Sequence, residues 1–234
     1  MKSLFYTLLF FISFSLFAQD NAVHGRWQVG LHVSPDIAHT HWRDAPVYNP
    51  YGWNVRTYPP LFGFTAGGNV FYAWRSYLGF EAGIQFGYRG YGEKKDFSAF
   101  PAPINVGYKY WHDAHRYAYL ELPLKVVFKS KGERVRFVGS VGASAGLLMY
   151  RRTYSKRVRL NGLKEMQSYP VHSSNSKFDV IPFASAGIEL KLSERLNLRI
   201  EPVFRYSLRK QRITEYDFVH FWSAGVDFGC YFRL

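Results

Sequence analysis

The chain has 234 residues, enough for one large domain, and 19% are aromatic, with 18 Tyr, 21 Phe and 20 Gly. That mixture suits strands and tight turns better than helices. Its single cysteine, Cys230, excludes an internal disulfide and any cysteine-built zinc or iron–sulfur centre. The net charge of +13 calls for anionic partners: nucleic acid, acidic protein or phosphorylated lipid.

The N-terminus narrows these. Lys2, the apolar run 4–17 and the pair Ala18-Gln19 predict a secretory signal peptide over 1–18 and a mature domain over 19–234. The run is short for a membrane span, and no later segment reaches 18 consecutive apolar residues. Export sets nucleic acid aside as a partner.

From residue 27 onward the dominant signal is period two. Trp27, Val29, Leu31 and Val33 alternate with Gln28, Gly30, His32 and Ser34. A second row is Phe62, Phe64, Ala66, Gly68, Val70, Tyr72 and Trp74. The third is strict: Leu78, Phe80, Ala82, Ile84, Phe86 and Tyr88 against Gly79, Glu81, Gly83, Gln85 and Gly87. Five more follow over 118–128, 135–149, 180–192, 196–208 and 218–234. Each is long enough to cross a bilayer as a tilted strand with one apolar and one polar face. Pro123, Pro182 and Pro202 interrupt three of them, and bulges are the expected way to absorb a residue with no N–H.

The connections alternate in length. Short turns follow the second, fourth and sixth strands: Arg75-Ser76, Ser130-Lys131-Gly132-Glu133 and Ser193-Glu194-Arg195. Long segments, about 40–60, 92–115, 151–178 and 209–217, follow the first, third, fifth and seventh and read as loops. Strand count and loop alternation together predict an all-β, eight-stranded antiparallel up-and-down transmembrane barrel in the bacterial outer membrane, with short periplasmic turns and long extracellular loops. Trp27, Trp42, Trp53, Tyr72, Trp74, Tyr77, Tyr110, Trp111, Tyr150, Trp222 and Tyr231 are candidates for interfacial aromatic girdles.

Tyr119-Leu120-Glu121-Leu122-Pro123-Leu124, followed by the glycine-rich Val138-Gly139-Ser140-Val141-Gly142-Ala143, resembles the small outer-membrane barrels of the PorT-like family. The segment Ala224-Gly225-Val226-Asp227-Phe228-Gly229-Cys230-Tyr231-Phe232 resembles their closing strand. The resemblance implies assembly by the barrel-assembly machinery and a role beside type IX protein secretion.

The polar faces carry both signs. Glu81, Glu121, Glu189, Glu201 and Asp227 face Arg89, Lys125, Arg136, Lys191, Arg199, Arg205 and Arg233. Eight strands leave a lumen barely wide enough for its own side chains, so these groups are expected to neutralise one another and plug it. The segment 151–178 holds Arg151, Arg152, Lys156, Arg157, Arg159, Lys164 and Lys177 against Glu165 alone. In this topology it lies outside, where Arg151, Arg152, Lys156, Arg157 and Arg159 would contact lipopolysaccharide phosphates.

Signals for chemistry are weaker. Gly142-Ala143-Ser144-Ala145-Gly146 matches the G-x-S-x-G nucleophile pattern but lies within an alternating strand rather than a strand-to-helix turn. His39, His41 and Asp44, or His112, Asp113 and His115, contain metal-ligating types, but their spacing fits no zinc signature and they fall in predicted loops. The reading is therefore no catalytic residue, no cofactor and no metal. Outer-membrane lipid and lipopolysaccharide are the expected partners. The alternatives are an accessory subunit of a secretion complex, a lipid-modifying or proteolytic barrel enzyme, and a soluble lipid carrier with its apolar face inside.

Overall fold

The computed structural model describes residues 26–42, 56–96, 107–170, 177–209, 211–212 and 218–234. The expected signal peptide, Trp53 and Asp44 lie outside them, as do the side chains of His41 and Trp42. The strands in chain order are β1 (Trp27–Trp42), β2 (Arg56–Thr57), β3 (Leu61–Ala73), β4 (Leu78–Asp96), β5 (Tyr108–Lys129), β6 (Val135–Arg159), β7 (Lys164–Pro170), β8 (Phe178–Lys191), β9 (Leu196–Tyr206), β10 (Gln211–Arg212) and β11 (Phe218–Arg233). Eight of these form one antiparallel ring, β1-β3-β4-β5-β6-β8-β9-β11, closed by β11 against β1. The three short strands are accessories: β2 pairs with β4, β7 with β6 and β10 with β11.

The apolar rows face outward. Leu31, Phe62, Leu124 and Phe137 are each 65–73% exposed, an arrangement that only a hydrocarbon solvent makes favourable. The opposite rows are buried and largely polar, including Gln28, His32, Ser34, Glu81, Gln85, Glu121, Ser140, Glu189 and Arg199. A lipid carrier with an apolar interior has the reverse arrangement.

Two expectations are corrected. Among the described residues, the segments 92–115 and 151–178 are largely strand rather than loop. β4 runs on to Asp96, β5 begins at Tyr108, β6 continues to Arg159, and β7 folds back on β6. The turn between β6 and β7 uses Gly162 at φ 84°, a left-handed conformation that glycine adopts without steric cost. At ~3.3 Å per residue, β5 and β6 far exceed a hydrocarbon band of about 25 Å. Outside that band the outward positions no longer need apolar side chains, so the hydrophobic alternation stops while the backbone ladder continues.

The prolines are handled by gaps rather than bulges. β5 keeps continuous register with β6 through Pro123↔Ser144 but loses its pairing to β4 between Ala82↔Leu124 and Gln85↔Glu121. Pro202 does the same between β9 and β8, and Pro35 between β1 and β11. Each proline withholds its missing N–H from one neighbour only.

A bulge does occur elsewhere. Ala118 pairs with Tyr150 and Tyr119 with Leu148, leaving Met149 as an extra residue on β6. Below it, Ser140 and Ser144 point inward; above it, Thr153 and Ser155 do. One inserted residue has exchanged the two faces of the strand.

Candidate functional site

At membrane depth the lumen is filled around Arg199, which is 1% exposed. Its guanidinium lies 2.8 Å from Glu81, 3.2 Å from Glu189 and 3.8 Å from Glu201. Lys125 reaches Glu81 at 2.8 Å and Lys129 reaches Glu189 at 2.6 Å. The Tyr231 ring lies 3.9 Å from the Arg199 guanidinium carbon, and its hydroxyl donates to Glu81 at 3.1 Å. Asn69 donates from Nδ2 to both Glu81 and the Tyr231 hydroxyl.

Smaller groups surround this centre. Arg205 binds Asp36 at 2.8 Å, and the hydroxyls of Ser34 and Thr65 also donate to Asp36. His32 meets Asp227 at 3.0 Å. Arg89 pairs with Glu121, which also accepts from Gln85 Nε2 at 2.7 Å. Between these groups remains a cavity of about 20 Å³, room for roughly one water.

Of the twelve residues expected inside, eight are buried there: Glu81, Arg89, Glu121, Glu189, Arg199, Glu201, Arg205 and Asp227. Lys125 inserts its ammonium among them. Arg136 and Arg233 instead line a periplasmic vestibule of about 310 Å³. Lys191 leaves the lumen altogether. It sits at the last position of β8, and its long stem swings out to Glu194 on the following turn at 2.7 Å.

The sequence reading missed His32, Asp36, Asn69, Lys129 and Tyr231. Asp36 was legible: the inner row of β1 continues past Ser34 through Asp36, Ala38 and Thr40. Tyr231, expected in an aromatic girdle, shares inward parity with Asp227 and is fully buried. The lumen is also less polar than expected. Phe71, Val127 and Val138 form an apolar cluster at its periplasmic end, and Tyr91, Tyr117, Tyr119 and Phe221 form an aromatic one at its outer end.

The outer mouth is built from the overhanging parts of β4, β5 and β6. Arg151 lies over Tyr117 at 5.1 Å and Arg157 over Trp111 at 4.0 Å. Trp111 Nε1 donates to Asp113 and to Ser155, both at 2.7 Å, so this indole belongs to the mouth rather than to a lipid girdle.

The five basic residues grouped in sequence therefore do not form one patch. Above the Met149 bulge, Arg151 and Arg157 turn inward. Arg152 and Lys156 lie on the outer side, and Arg159 is held by Glu165 at 2.6 Å. Arg152 gains a different neighbour, Arg116, its register partner on β5. Arg116 lies over Tyr88 at 5.4 Å, and Tyr150 and Tyr154 are exposed beside Arg152 on the same outward face. A belt of cations and phenols thus rings this wall where the apolar rows end.

Ser144 of the G-x-S-x-G pattern lies within the unbroken strand β6, paired with Pro123 and Ile181, rather than on a nucleophile elbow.

No curated protein matches the sequence. Among solved structures, the chain is similar to Neisserial surface protein A, with TM-score 0.47 and 10% identity over 92% of this chain and 100% of that one. A major outer membrane protein from Thermus thermophilus gives TM-score 0.42 and 11% identity over 87% of this chain and 99% of that one. The N-terminal β-barrel domain of Pseudomonas aeruginosa OprF gives 0.34 and 10% over 87% and 97%. The model for the outer membrane protein beta-barrel domain matches residues 17–211. With its closed ring of strands and apolar exterior, the chain belongs to that outer-membrane β-barrel family and resides in the bacterial outer membrane.

Proposed function

We propose that the protein is a non-enzymatic envelope barrel whose lumen is closed by its own charges and whose outer wall binds lipopolysaccharide. The belt of Arg116 and Arg152 among Tyr88, Tyr150 and Tyr154 carries this reading. Guanidinium groups bind phosphate in a bidentate way, and phenols suit the headgroup level, where their bodies meet acyl chains and their tips meet polar groups. This moves the lipopolysaccharide contact from the five grouped residues to a pair on facing strands. Arg152 stays, Arg116 joins it, and Arg151 and Arg157 act in the mouth.

Retention of the purified barrel on lipopolysaccharide-coated beads tests this. Arg116→Glu with Arg152→Glu should release it at least tenfold more readily, and wild-type retention should fall with added salt. Unchanged retention of the double variant contradicts the reading.

The PorT-like resemblance supports a second reading, an accessory role in type IX secretion. One stretch that carries it, residues 119–124, has a structural use here: Glu121 is buried against Arg89 while Leu120, Leu122 and Leu124 face lipid. Co-purification of secretion components after mild detergent extraction separates this role from a free-standing barrel.

A further inference from the structure

Three side chains of the outer mouth meet where the sequence suggested solvated loops. Glu93 on β4 and Asp113 on β5 are register partners, and His115 lies two residues from Asp113 on the same inward row. Glu93 and Asp113 are buried and His115 nearly so. The ligand atoms of the three lie within 4.8 Å of one another. Two carboxylates directly opposed on neighbouring strands are mutually unfavourable, and a cation beside them relieves this.

The histidine is set up for that cation. Its Nδ1 is 3.0 Å from Thr153 Oγ1. With Nδ1–H donating to Thr153, Nε2 carries the lone pair. That atom is buried, lies 3.7 Å from Glu93 Oε2, and has no hydrogen-bond partner among the described residues. The ring is fixed by Tyr91, stacked on it at 4.7 Å. On the other side, Trp111 Nε1 donates to Oδ1 of Asp113 at 2.7 Å and orients that carboxylate. A histidine whose far nitrogen donates to a protein oxygen, beside a carboxylate held by a donor, is the supporting arrangement that metal ligands have. Two ligands of a tetrahedral zinc ion, each about 2.1 Å from the metal, stand about 3.4 Å apart. The His115–Glu93 separation is close to that value.

We infer that Glu93, Asp113 and His115 form a site for a divalent transition-metal ion in the outer mouth of the barrel. One imidazole and two carboxylates suit zinc or its first-row neighbours. Calcium wants six to eight oxygens, and magnesium keeps most of its water. The ion would tie β4 to β5 above the membrane, where neither strand has lipid to pack against. This proposal is independent of the outward Arg116–Arg152 belt.

The test uses the full barrel in detergent micelles, stripped with a chelator and titrated with zinc chloride by calorimetry. We expect one ion per chain. Asp113→Asn and His115→Ala should each weaken binding at least tenfold. Thr153→Val, which keeps all three ligands but removes the support of Nδ1, should weaken it about tenfold. His39→Ala and His220→Ala, elsewhere on the barrel, should leave binding unchanged. Closure of each variant is checked by its heat-dependent electrophoretic mobility. If His115→Ala fails to close, cobalt(II) added to the wild type carries the test: Trp111 emission should be quenched, and zinc should reverse it. Absence of binding to the wild type, or equal binding by Glu93→Gln/Asp113→Asn/His115→Ala, overturns the site.

Discussion

The lumen at membrane depth and the outer mouth above it use the same residue types, yet they treat charge differently. At depth, Glu81, Glu121, Glu189, Glu201, Asp36 and Asp227 each meet an arginine, lysine or histidine side chain. In the mouth, Asp113 is held by an indole and Asp179 by the Ser207 hydroxyl, while Arg151 and Arg157 lie on aromatic faces. The difference follows from solvent. Within the bilayer an unpaired charge has neither water nor a flexible loop to turn to, so each of these carboxylates is paired locally. Above it, β4, β5 and β6 stand in water on their outer side, and their inner groups are free to be arranged for ligands. The inside of the membrane segment is structural; the outer overhang is where binding is expected.

The largest test of this contrast is Arg199→Met. It strands Glu81, Glu189 and Glu201 without their shared cation and should cost about 3–5 kcal/mol, read as a lower urea midpoint for the barrel in lipid vesicles. Next is the lipid face. Leu124→Arg places a charge at the middle of the outward row on β5 and should cost about 2–4 kcal/mol, whereas Tyr154→Arg, above the band, should cost about 0–1 kcal/mol. Equal costs at the two positions would remove the distinction between the wall at the bilayer midplane and the wall at the headgroup level and beyond.

The smallest effect is at the periplasmic turn. Its hydrogen bond from Lys191 holds the exposed Glu194 carboxyl below the usual carboxylate range. A depressed carboxylate stabilises only above its unfolded pKa, and that contribution is lost as pH falls through the folded value. Lys191→Ala should return Glu194 to the ordinary range in an NMR titration and leave the urea midpoint at pH 7 unmoved, because a solvent-screened pair adds little.

The membrane segment was largely legible in the sequence because lipid imposes a strict rule. Every second residue of 78–88 is apolar, and the inner row of β4, with Glu81, Gln85 and Arg89, follows by parity alone. The overhang was not legible, because water outside imposes no such rule: 92–115 reads as a loop although residues 92–96 pair with 110–114. The division of Arg151 and Arg157 from Arg152 and Lys156 depends on Met149, one inserted residue with no marking in composition. Glu93 and Asp113 lie twenty residues apart in the chain and become neighbours only through the hairpin register. The short turns were correctly placed, since a few polar residues between two strict rows leave little alternative.

The central claim is that the lumen is closed by its own side chains at the level of Arg199. Single-channel recording in planar bilayers tests it most directly. The wild-type barrel should give no stable conductance under applied voltage. A reproducible nanosiemens-scale pore from the wild-type protein would contradict the account, because Glu81, Arg199 and Tyr231 pack against one another across the lumen and the cavity beside them has room for about one water.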